Sequence, residues 1–68
     1  MKQILTQIAE ILWKVPMMSE AIGISIMSPI KTEEQGLRML KFLEENKDNP
    51  EIMDTDYLIP NKRKIIGL

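Results

Sequence analysis

Neither cysteine nor histidine occurs in this chain of 68 residues, and that double absence limits its folding options more than any motif does. A domain of this size buries only about 60% of the surface its unfolded chain exposes. Its stability margin is thin, and such chains commonly lean on disulfides, a metal or a partner. Without cysteine, disulfides and thiolate–zinc sites are ruled out; without histidine, the commonest metal ligand is gone. What remains is a single apolar core, alone or completed by another chain. A hydrophobic fraction of 44% with a net charge of −1 argues against wholesale disorder. Only Trp13, Phe42 and Tyr57 are aromatic, so aliphatic residues and methionine must fill the core.

The apolar spacing predicts an amphipathic helix over residues 2–15. Ile4, Ile8, Ile11 and Val15 recur at helical intervals, and Leu5 and Leu12 widen the stripe. Ile8 and Ile11 are expected to be fully buried. Lys2, Gln3, Thr6, Gln7, Glu10 and Lys14 lie opposite, and Pro16 ends the helix. Trp13 falls on the polar side. A second helix is predicted within 29–47, with two competing starts: Ser28 before Pro29, or Thr32 with Gln35 as a capping box. Its ion pairs are expected to be Glu34–Arg38 and Lys41–Glu45. Asn49–Pro50–Glu51 suggests a further short helix over 50–58, stopped by Pro60.

Residues 17–27 admit two readings. As a helix, Met18, Ile22 and Ile26 stack at intervals of four; as a strand, Ile22, Ile24 and Ile26 alternate with Gly23, Ser25 and Met27. The favoured architecture is an all-α domain of three or four helices over residues 1–60, followed by an extended, basic, apolar-ended tail at 61–68. The alternative is an α+β fold in which a 22–27 strand pairs with that tail.

Chemistry is sparsely supplied. The acids Asp48, Glu51, Asp54 and Asp56 resemble a cation loop only superficially: Pro50 interrupts them, no glycine lies among them and no acid follows in 57–68. No histidine activates Ser19, Ser25 or Ser28. Gly23, Gly36 and Gly67 are too scattered to cradle a phosphate. The expectation is a chain with no catalytic residue, metal, cofactor or small-molecule substrate. No signal sequence or membrane span is read from the N-terminal residues or from the Pro-interrupted apolar stretch 15–30, and the lack of cysteine fits a cytoplasmic location.

Two functional readings follow. The first is a non-enzymatic interaction or regulatory module that self-associates or docks on a partner protein, with Trp13, Met17, Met18 and Ile24 as its interface. Tryptophan is enriched at interface hot spots and methionine makes adaptable surfaces. Trp13 has a rival explanation, cover by Tyr57–Leu58–Ile59 of its own chain. The second reading is a small nucleic-acid-associated protein using Lys62, Arg63 and Lys64. A pI near 5.3 and the acids Glu33 and Glu34 at the start of the 32–47 helix weigh against it.

Overall fold

Four helices form, the last three opened by side-chain caps: α1 (Lys2–Leu12), α2 (Glu20–Met27), α3 (Glu33–Asn46) and α4 (Thr55–Ile65). The computed structural model describes all residues, 1–68. It is all-α, 65% helical, with no strand.

α1 ends earlier than the spacing predicts. Its last turn tightens, with Lys14 and Val15 donating to the carbonyls of Ile11 and Leu12, because Pro16 bars helical geometry at the residue before it. Met17 then takes a left-handed φ of 68° to turn the chain toward α2. Ser19 caps α2, its side chain accepting from the Ile22 N–H at 3.2 Å. The strand reading of 22–27 is therefore corrected. The cap starts a helix, and the segment that would have paired with a strand is itself helical.

α3 begins at Thr32, the later of the two starts. The Thr32 side chain accepts from the Gln35 N–H, and the Gln35 side chain accepts from the Thr32 N–H, closing the box. Of the two expected ion pairs only Glu34–Arg38 forms, at 2.8 Å.

The C-terminal segment departs most from the sequence reading. Asp54, not Asn49, caps the last helix; Asn49 instead accepts from the Glu51 N–H in a local turn. Pro60 does not stop α4. Its missing N–H leaves the Asp56 carbonyl without a helical donor, but Asp56 and Pro60 both face solvent. Asn61 Nδ2 donates to the next carbonyl, that of Tyr57, at 2.8 Å. The helix closes in a Schellman motif: Gly67, at φ 92°, donates to Lys64, and Leu68 donates to Arg63. The extended tail expected at 61–68 is thus the second half of a helix, and Ile66 lies in the core at 2% exposure.

The core is made by Ile8 and Leu12 of α1, Ile26 of α2, Met39 and Leu43 of α3, and Leu58 and Ile66 at α4, all essentially sealed from solvent. Ile8 is buried as expected; Ile11 is only half-buried. α1 packs chiefly on α3, and α2 on α4, whereas α1 and α2 touch lightly. Gly36 permits the first of these approaches, since a Cβ there would stand 3.0 Å from Ile4 Cγ2. Between α3 and α4, the rings of Phe42 and Tyr57 stack with centroids 6.3 Å apart. Tyr57 therefore lies against Phe42 and not over Trp13.

Candidate interaction surface

Because α1 and α2 touch lightly, a shallow groove of about 610 Å³ runs between them. Leu5, Ala9, Trp13, Ile24 and Met27 supply its apolar lining, and Lys2, Thr6, Glu10 and Ser28 its polar edge. Trp13 is the C-cap residue of α1, and its Nε1 would lie 3.5 Å from a Cβ at Gly23. The indole thus rests along α2 where that helix has no side chain. Trp13 stays 57% exposed and Ile24 55%. Two large apolar side chains, one at the end of α1 and one on α2, thus line the same groove while more than half exposed.

Trp13 and Ile24 are the two expected interface residues that the fold brings together. Met18 is half-buried and packs on the core, so less of it is free for a partner than of Trp13 or Ile24. Met17 is the most exposed large apolar side chain, at 92%, but it lines a different groove. That second groove, about 680 Å³, lies between the α1–α2 turn and the α3–α4 connection. Ile11, Val15 and Met53 form its apolar part, with Lys14 and Lys47 near Glu44, Asp48 and Asp54. No three carboxylates of the chain converge on a common point.

The basic run is divided by the fold. Lys62 Nζ donates to the Ser25 carbonyl at 2.7 Å and contacts Ser25 Oγ at 3.1 Å. A cation on the last carbonyls of a helix satisfies orphan acceptors and complements the negative end of the dipole. Lys62 therefore fastens α4 to α2, leaving Arg63 and Lys64 exposed on the last turn of α4.

Sequence reasoning missed Leu5, Ala9 and Met27 as groove residues. The signal was there: α2 carries apolar side chains on opposite sides, and a helix of eight residues cannot bury both against one core. It missed the helical tail as well, although Lys62–Arg63–Lys64 followed by Gly67 is a helix stop signal.

No protein-family model, curated protein or solved structure matches this chain. No helix is long and apolar enough to cross a membrane.

Proposed function

We propose that this chain is a non-catalytic protein-interaction module whose α1–α2 face docks on another polypeptide in a reducing, cytoplasmic compartment. The observation that carries the reading is the pair Trp13 and Ile24, each more than half exposed, above an apolar groove between two helices. An indole presents a large apolar area and a polar N–H on a side chain with little rotamer freedom, which suits a contact surface better than a free one. The absence of cysteine fits a reducing compartment. Association through Lys62, Arg63 and Lys64 with nucleic acid has less support, since the ammonium of Lys62 is engaged by Ser25 and only two cations are left free.

Photo-crosslinking tests the reading. A benzophenone amino acid at position 13 or 24 should capture a polypeptide in cells, whether a copy of this chain or another protein. The same probe at Lys41, exposed on α3, should not. Equal capture at all three positions, or none at any, would overturn the assignment of this face.

A further inference from the structure

The groove has a charge pattern that is complementary to itself. Lys2, Thr6 and Glu10 lie along its α1 edge at successive intervals of four residues, so they form one ridge of the helix. Thr6 stands midway, with a cation four residues before it and an anion four residues after. Neither charge has an ion partner in its own chain, where Glu34–Arg38 is the single ion pair. The Thr6 hydroxyl is already committed, donating to the Lys2 carbonyl at 3.0 Å, so the middle of the ridge can be covered without stranding a donor.

We infer that the occupant of this groove is a second copy of the same chain, packed with its α1 antiparallel to the first about a two-fold axis at Thr6. This rests on the interaction reading above and names its partner. A two-fold axis there sets Lys2 of each protomer against Glu10 of the other, making two identical ion pairs roughly 12 Å apart at 1.5 Å per residue. Small or self-satisfied side chains at the crossing let the helices approach, and ridge-into-groove packing splays their ends by an angle that long Lys and Glu side chains can bridge. Trp13, Ile24 and Met27 of each copy then flank the crossing and lose their contact with water. The parallel arrangement is disfavoured, because it sets Lys2 against Lys2 and Glu10 against Glu10. A two-fold dimer also provides the outside help that a stapleless chain of this length lacks.

A charge-swap series read by sedimentation equilibrium tests the pairing. The parent should sediment at twice its 7.9 kDa chain mass at micromolar to submillimolar concentration. Lys2→Glu and Glu10→Lys should each weaken the dimer by about tenfold or more, since each puts like charges at both ends of the crossing. The double variant, with both charges exchanged, should return to within about threefold of the parent, because the pairs are restored with reversed sign. Lys2 and Glu10 are both exposed, and unchanged helix content by circular dichroism checks that each variant folds. A chain that sediments as a monomer throughout overturns the dimer; crosslinking from positions 13 and 24 to a different protein would then leave the docking face standing with another occupant. A dimer indifferent to the single substitutions, or a double variant as weak as the singles, overturns this arrangement.

Discussion

α2 and α3 are built on different plans, and the difference is what favours the α1–α2 face as the proposed docking surface. α3 has fourteen residues, a closed capping box, acids in its first turn and a polar side that faces water. Its apolar side chains are covered within the chain except Leu37, which is exposed. α2 has eight residues and places Ile22 and Ile26 on one side with Ile24 opposite. The first side packs on the core, and Ile26 is sealed. The other side faces solvent. An amphipathic helix is complete in a lone domain, whereas one that is apolar on two sides needs two covers, and this chain supplies α2 with one.

The largest expected effect tests that asymmetry directly. Ile26→Ala should cost about 3 kcal/mol of stability through the cavity it leaves, whereas Ile24→Ala should change the stability of the dilute monomer by less than about 0.5 kcal/mol. Urea denaturation at low protein concentration measures both. Similar losses from the two would mean that Ile24 is covered within its own chain and that α2 finds both of its covers there. Next come the caps. The double substitution Thr32→Ala with Gln35→Ala opens both halves of the α3 box and should cost about 1.5 kcal/mol, against about 1 kcal/mol for Ser19→Ala at α2, which loses a single bond. A thermal melt that ranked them the other way would shift the weight of the fold toward α2.

Two helical glycines sharpen the comparison further. A Cβ at Gly23 would meet only Trp13 Nε1, at an ordinary 3.5 Å. Gly23→Ala should therefore gain helix propensity and raise stability by about 0.5–1 kcal/mol. Gly36→Ala should gain less than Gly23→Ala, because Ile4 must yield to a Cβ 3.0 Å away. Equal gains in the urea midpoint would show that α1 and α3 are less closely engaged than the structure has them. The smallest effect is expected at the turn leading into α2. Met17→Gly relieves a left-handed φ of 68° but frees the unfolded chain, so the two contributions should leave stability within about 0.5 kcal/mol of the parent. A larger loss in the melt would mean that the exposed Met17 side chain packs in the native state.

The two long amphipathic patterns were legible from the sequence because their apolar spacing is regular over several turns, and in α3 the capping chemistry agrees with it. Ile4, Ile8 and Leu12 in α1, and Met39 and Leu43 in α3, face inward as their spacing requires, and Thr32 with Gln35 marks the start of α3 to the residue. α2 was harder, since Ile22, Ile24 and Ile26 suit a strand's alternation as well as a helix; Ser19 decides between them only once its side chain is seen to cap. α4 was misread because Pro60 outweighed the stop signal at Gly67. Proline removes one helical bond and crowds the carbonyl four residues back, and here that carbonyl belongs to exposed Asp56, where water can take the donor's place. Trp13 could be recognised as out of place on a polar face. Ile24 could be grouped with it; that Met17 would be parted from both could not, because the separation depends on how α1 and α2 sit across a turn that carries no periodic signal.

The order in which the helices pair, α1 with α3 and α2 with α4, bears on how the chain reaches its native state. The two pairings interleave along the sequence: the connection from α1 to α3 contains α2, and the connection from α2 to α4 contains α3. Neither pair is a hairpin of neighbouring helices, so each must close a loop that holds a member of the other pair. Folding should accordingly be slower than in a bundle whose neighbours pair in turn. A fragment lacking α4 would strand α2 without its principal partner and without the Lys62 contact, and no single cut in the chain yields two pieces that each retain a complete pair.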